Sequence, residues 1–356
     1  MLRLMFEEGN SRVGRKIISG VIRSGGAKVF TVGLGVLLAV MLGMATMALP
    51  GKTLSGSAIS TQTSEAQSIP YVSPGGSAGC DFSINSCWWY VTAKQTVSGS
   101  NTIGAKARMS QHAPWTDPMN DHSLAEMVVG NYLGSTSSGW ALFDSIEVGW
   151  VVWPEVYGDK KPHLFVKPTR GDQRDTADCW WPDWRAKKNR QTPEAARKSC
   201  GWVQKSNQWY PNRSTVAVDG RTHLYQIAYD PADGNWWVWY NNEWIGYIKG
   251  DWWPNHRFTR IGGQNTNGKV QWYGEVQDTK APQNTKEEIP CTDMGNNGKF
   301  GTEKGAAVMS HMGLLKIRNG SVFSHPAKPI GEETDARYYS GKFKGNRFSY
   351  GGPGGC

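Results

Sequence analysis

The sequence predicts an all-β protein, an antiparallel two-sheet β-sandwich, and three observations carry that expectation. Of the 356 residues, 18 are Trp, 13 Tyr and 10 Phe, and aromatic side chains suit a pleated, half-buried surface. Short aromatic and β-branched runs recur between clusters of turn residues, the pattern of an all-β chain. The 43 Gly residues interrupt any heptad run and show no Gly-X-Y period, which excludes a long coiled coil and a collagen-like chain. With 38% hydrophobic and 19% charged residues, the chain is too apolar to be disordered and has enough to build a core.

Folded sequence is expected from Cys80 onward. The first strand candidate, 88–93, opens on Trp88, Trp89 and Tyr90. Runs at 103–110, 124–132, 146–153 and 164–167 follow, each short and rich in aliphatic or β-branched residues. Further runs lie at 224–229, 236–240, 244–248, 259–262 and 269–277. The pair 236–240 and 243–248, joined through Asn241-Asn242, reads as a hairpin with a two-residue turn. The clearest helical stretch is short, 192–198. It lies in a loop carrying Arg185, Lys187, Lys188, Arg190, Arg197 and Lys198. No internal repeat and no strong boundary divides 80–356, and one two-sheet sandwich of that size is within range.

The formal net charge of +9 is unevenly spread. Arg3, Arg12, Arg15, Lys16, Arg23 and Lys28 stand against Glu7 and Glu8 in the first 28 residues. An uncharged apolar run from Val29 to Leu49 follows, closed by Pro50-Gly51. The expectation is a basic cytoplasmic flank (1–28) and a signal sequence or membrane anchor (29–49), with Thr46-Met47-Ala48 as a small-residue cleavage pattern. A Ser/Gly/Thr/Pro-rich flexible linker or short propeptide (50–79) and the sandwich domain (80–356) come next. The folded part is therefore expected outside the cell, secreted or anchored through 29–49. Part of the basicity is then topogenic, and no nucleic-acid partner is expected. Cys80, Cys87, Cys179, Cys200, Cys291 and Cys356 all follow the apolar run, with no Cys-x-x-Cys pair. Three disulfides are expected rather than a zinc ribbon, with 15 possible connectivities.

Several motifs fail on context. Gly75-Gly76-Ser77-Ala78-Gly79 matches a serine-hydrolase elbow, but it lies in the linker instead of between a strand and a helix. No His-Glu-x-x-His and no phosphate-binding Gly-x-x-x-x-Gly-Lys-Ser/Thr loop occurs. No metal site and no cofactor is expected.

Two glutamates stand out by position. In Ser145-Ile-Glu-Val-Gly-Trp-Val-Val-Trp153, period two groups Ile146, Val148, Trp150 and Val152 on one face, and Glu147, Gly149, Val151 and Trp153 on the other. A carboxylate in so apolar a strand must be paired, solvated in a cleft or protonated. Gly149 beside it is expected to leave room for a substrate backbone. In 269–277, Val270, Trp272, Gly274 and Val276 form a core-like face, and Gln271, Tyr273, Glu275 and Gln277 a polar row suited to a cleft floor. The plainer reading makes each Glu an outward strand residue.

From Gly104 to Cys356 the chain resembles the neprosin family of glutamic peptidases. The likeness is carried by Ser145-Ile-Glu-Val-Gly-Trp150 with Tyr157-Gly-Asp159, by Gly234-Asn-Trp-Trp237 and Ile245-Gly-Tyr247, and by Trp272-Tyr-Gly-Glu275. Thr292-Asp-Met-Gly295 and Tyr350-Gly-Gly-Pro-Gly354 continue it. The order of these motifs carries more weight than any single one. The resemblance implies Glu147 and Glu275 as the catalytic pair, facing each other across a concave sheet, with no cofactor. It implies endopeptidase activity at acidic pH on polypeptides, with preference for cleavage after proline. Tyr273, Trp153, Gly149 and Gln271 become candidate substrate contacts. Together with the spacing, it implies the pairs Cys80–Cys87, Cys179–Cys200 and Cys291–Cys356. Three departures stand: Tyr273 replaces a usual Gly, the Cys179–Cys200 insertion is long, and 50–79 is too short for the folded propeptide domain of plant members. The rival readings are a glycoside hydrolase using the same glutamates and an inactive or carbohydrate-binding sandwich with Trp platforms.

Overall fold

A computed structural model describes residues 87–99, 101–117, 121–135, 141–171, 200–263, 267–279, 290–334 and 336–356. The expected basic flank 1–28, apolar segment 29–49 and linker 50–79 lie outside the described residues, as do the short helix 192–198 and the basic loop around it. Among the described residues no helix is long and apolar enough to cross a membrane.

Alternating side chains build two antiparallel sheets. The strands are β1 (Cys87–Val97), β2 (Thr102–Ser110), β3 (His122–Ser135), β4 (Ala141–Val152), β5 (His163–Thr169), β6 (Trp202–Gln204), β7 (Thr222–Asp230) and β8 (Asn235–Tyr240). They continue with β9 (Glu243–Ile248), β10 (Asn267–Asp278), β11 (Ala307–Arg318), β12 (Ser321–Pro326), β13 (Ile330–Glu333), β14 (Ser340–Lys344) and β15 (Arg347–Gly351). One sheet has the order β13-β1-β10-β3-β4-β5. The other runs β14-β15-β11-β2-β7-β8-β9-β6, with β12 paired to β11. The all-β, two-sheet expectation holds.

The core lies between the sheets. Trp89, Ala125, Met127, Ile146, Val148, Trp150, Val270, Trp272 and Val276 from the first sheet meet Ala105, Met109, Tyr225, Ile227, Trp236 and Val238 from the second. Each large side chain removed from water stabilises the fold by about 2–3 kcal/mol before entropy is counted. Much of the Trp excess serves this layer, and three of its indole N–H groups find carbonyls. Trp150 donates to Ser110 O at 2.9 Å, Trp236 to Phe258 O at 2.6 Å and Trp253 to Thr169 O at 3.0 Å. Buried indoles usually find such partners, though those of Trp89 and Trp272 have none.

The expected hairpin forms as β8–β9. Asn241 and Asn242 both take positive φ, 47° and 70°, the backbone of a two-residue turn that matches strand twist. The strand expected at 259–262 does not form. Ile261 makes only an isolated bridge to Thr102. The Asn131 side chain instead satisfies the local backbone, donating to Arg260 O at 2.9 Å and accepting from Gly262 N at 2.7 Å. The strand expected to run to Trp153 ends at Val152, because Pro154 starts the one-turn helix α1 (Pro154–Tyr157). Strands β11–β15 were absent from the sequence expectation. Of the expected disulfides Cys291–Cys356 is formed. Cys87 and Cys200 are each disulfide-bonded, whereas Cys80 and Cys179 lie outside the described residues.

Candidate active site

The outward face of the first sheet carries the chemistry. Ile146, Val148, Trp150 and Val152 of β4 are fully buried in the core, so period two sends Glu147 outward. On β10, Val270, Trp272 and Val276 are buried in the core in the same way, which sends Gln271, Tyr273, Glu275 and Gln277 outward as the sequence suggested. This face is not solvated like an ordinary sheet surface: the side chains of Glu147 and Glu275 are 13% and 11% exposed. Tyr90, Leu124, Val128, Val151, Phe165 and Tyr273 form an apolar cluster around them, with Trp88, Trp153 and Tyr157 packed against it.

The two glutamates are not on paired strands, since β3 runs between β4 and β10. Glu147 stands opposite Val128 and Glu275 opposite Leu124, four residues apart along β3. Between those two levels β3 presents a third carboxyl, Glu126, opposite Gly149 on one side and Tyr273 on the other.

Each of the two expected acids has its own partner. Lys167 of β5 stands directly across from Glu147 in register, its Nζ 3.3 Å from Glu147 Oε2. Burial pushes the Glu147 carboxyl up, Lys167 pulls it back, and the charge of Glu275 adds to the rise. Glu275 Oε1 lies 2.8 Å from His122 Nε2, and the Glu275 carboxyl accepts a hydrogen bond from the hydroxyl of Tyr90, the residue opposite it on β1. Burial, then the charges of Glu275, Glu126 and Glu147, raise the Tyr90 hydroxyl well above its ordinary range, so it keeps its proton and donates. Glu126 is 2% exposed. Burial foremost, then the charges of Glu147 and Glu275, push it well above the glutamate range, against a smaller opposing pull from Lys167.

The secondary candidates divide. Trp153 stands at this face, its ring 4.4 Å from His122. Tyr273 meets Tyr90 edge to face at 5.6 Å. Gln271 is buried on the same face with its Oε1 unpartnered. Gly149 lies close against the neighbouring strand. A Cβ there would overlap the Ala125 carbonyl oxygen and come within 2.8 Å of Glu126 Cα; the missing side chain accommodates the neighbouring strand β3. The Tyr157-Gly-Asp159 stretch is a local fastening. Gly158 closes α1 in the left-handed region at φ 76°, Asp159 Oδ1 meets His163 Nε2 at 2.9 Å, and the Tyr157 ring stacks on His163 at 3.9 Å.

Sequence reading missed Glu126, His122, Tyr90 and Lys167. All four lie within or beside strand candidates, but their convergence depends on cross-strand register. Among the described residues no group of three or more His, Cys, Asp or Glu side chains is arranged to hold a metal ion.

A family model described as Neprosin matches residues 119–353. The chain belongs to the neprosin family. The matched span includes β3, β4 and β10, and so all three glutamates. Membership in the neprosin family suggests a peptidase. Among solved structures, the chain is similar to Scytalido-glutamic peptidase crystallised with a peptide-based transition state analog. That likeness has a TM-score of 0.32 and 9% identity, over 74% of this chain and 97% of that one. It is also similar to SCP-B, a member of the Eqolisin family of peptidases, in complex with the tripeptide Ala-Ile-His. There the TM-score is 0.31, with 9% identity over 74% and 96% of the two chains.

Proposed function

We propose that this neprosin-family chain is an exported glutamic endopeptidase. It hydrolyses polypeptides at acidic pH, preferring bonds after proline, with Glu147 and Glu275 as its catalytic carboxyls. The observation that carries the reading is the pairing of Glu147 with Lys167 and of Glu275 with His122 on one enclosed sheet face walled by aromatic side chains.

Carboxyls that feel each other's charge do not ionise independently, and they titrate as a set. At acidic pH one is ionised and takes a proton from water as the water oxygen attacks the scissile carbonyl carbon. A protonated carboxyl polarises that carbonyl, then supplies the proton to the leaving amine as the C–N bond breaks. Lys167 and His122 hold the two acids in place, so that little reorganisation is left for the reaction itself. Trp153, with Trp88 and Tyr157 packed against the same apolar cluster, offers an apolar wall for a proline ring. The apolar segment 29–49 and the disulfides support the reading of export.

The test is cleavage of a proline-containing peptide at about pH 4, near the ordinary carboxyl range, with pepstatin present. Glu147→Gln and Glu275→Gln are each expected to abolish turnover while leaving the circular dichroism spectrum intact. Full activity in either variant overturns the assignment.

A further inference from the structure

The third carboxyl is the group that the paired-glutamate scheme leaves without work. Register makes Glu126 the diagonal cross-strand neighbour of both Glu147 and Glu275, a relation that places side chains roughly 7–8 Å apart at their bases and within reach for glutamate. Its strand mates Leu124 and Val128 belong to the apolar wall of the same face, so its own side chain is directed among them toward the enclosed space. It is 2% exposed, and its Oε2 is buried with no hydrogen-bond partner.

An ionised glutamate in that position is costly on two counts. It loses its hydration, and charge on Glu147 or Glu275 opposes its own. The basic side chains around it are engaged: Lys167 bonds Glu147 and His122 bonds Glu275. Among the described residues no ion pair is formed to Glu126. A neutral acid meets neither penalty, and its O–H then needs an acceptor, which a peptide carbonyl provides.

We propose that Glu126 works as a neutral carboxylic acid whose O–H donates a hydrogen bond to the carbonyl oxygen of the bound peptide, between Glu147 and Glu275. The proposal rests on the peptidase reading of the site and adds to it a donor that is not consumed. As the carbonyl oxygen gains negative charge the bond strengthens. A fixed donor in an enclosed site stabilises developing charge far better than water does, and a carboxylic acid kept neutral by an apolar site is an established way to provide one. No proton leaves Glu126 in this role.

The groups facing it are consistent with a neutral state. Glu147 comes from β4, Lys167 from β5, Glu275 and Tyr273 from β10, Tyr90 from β1 and His122 from its own strand. Burial is the largest influence, the two carboxylates add to it, and Lys167 opposes them. Glu126 therefore stays protonated through a pH range in which an ordinary glutamate has ionised.

Two variants and one spectroscopic measurement test this. Glu126→Gln keeps a neutral donor, and Glu126→Met keeps the length without one. Glu126→Gln is expected to lower kcat on a proline-containing peptide by about tenfold and to carry activity to higher pH than the wild type, because an amide cannot ionise. Glu126→Met is expected to lose about 10²–10³-fold in kcat with KM little changed, the range for removing a single oxyanion donor. Infrared difference spectra of wild type against Glu126→Gln at about pH 6, above the ordinary glutamate range, are expected to contain a protonated-carboxyl band. Glu126→Gln as inactive as Glu147→Gln, full activity in Glu126→Met, or absence of that band overturns the proposal. The failures are separable: cleavage without the band defeats the role of Glu126, and the band without cleavage defeats the peptidase reading on which it rests.

Discussion

The imidazole of His122 lies 2.8 Å from the Glu275 carboxylate through Nε2, and its ring packs 4.4 Å from that of Trp153. One side chain thus joins the second candidate acid to the aromatic wall offered for a proline ring. His122 stands opposite Gln277 on β10, which makes it the diagonal neighbour of Glu275.

His122→Ala removes both contacts at once. Glu275 keeps the Tyr90 hydroxyl but loses its second anchor. A displacement of the order of an ångström in a reacting group costs about 10²-fold in rate. The expected outcome is a kcat reduced by about that factor with KM nearly unchanged, read from steady-state kinetics on a proline-containing peptide. An unchanged kcat contradicts the positioning role.

Gly149→Ala tests the close approach of β3 and β4. A Cβ overlaps the Ala125 carbonyl oxygen and crowds Glu126 Cα, so the strands must separate or shift. Overpacking of this kind costs about 1–3 kcal/mol. The shift also falls between Glu126 and Glu147, so both the urea midpoint and kcat are expected to drop. If Gly149 only made room for substrate, KM alone would rise and stability would not change.

Stability is expected to fall as pH rises. Asp121 accepts hydrogen bonds from the Thr279 amide and hydroxyl and from the Thr292 hydroxyl, yet burial and then the charge of Asp278 push it up to about 7. Burial pushes Asp293 up to about 6, and Glu126 and Glu147 are raised as well. A raised carboxyl keeps its proton in the folded chain at a pH where the unfolded chain has released it. Its contribution is therefore complete below the unfolded value and is lost as pH climbs through the folded one. Asp159 and Asp219 shift the other way: slight burial raises each, but hydrogen bonds from His163 and from the Arg221 amide, with the neighbouring charges, outweigh it. Both are largely solvated, so their effect is screened. Urea midpoints measured across about pH 4 to 7 are expected to decline, and Asp121→Asn to flatten the decline. A rising curve contradicts the burial argument.

Where period two was uninterrupted, the sequence was readable. The face assignments of Trp150 and Trp272 followed from their neighbours alone, and both are fully buried. The hairpin turn followed from Asn241-Asn242, because asparagine tolerates the left-handed backbone that the turn needs. Strand β11 is hard to read in the sequence for the opposite reason. Its register shifts between Ser310 and Gly313 and again between Leu315 and Lys316, and His311 takes φ 53°, so the alternation is broken where it would be counted. The short strands β12–β14 are largely exposed and carry little apolar pattern.

The sequence by itself determined that Glu147 and Glu275 each lie on the face opposite a Trp-lined core, because side-chain direction along a strand is a local property of the backbone. It also carried the family motifs around them. Only the tertiary structure decided that β3 runs between their strands, that Glu126 stands on the diagonal joining them, and that Lys167, His122 and Tyr90 attend them. Those relations join residues far apart in the chain through ladder register. Register is set by which hydrophobic faces are buried together, and no local pattern in the sequence records it.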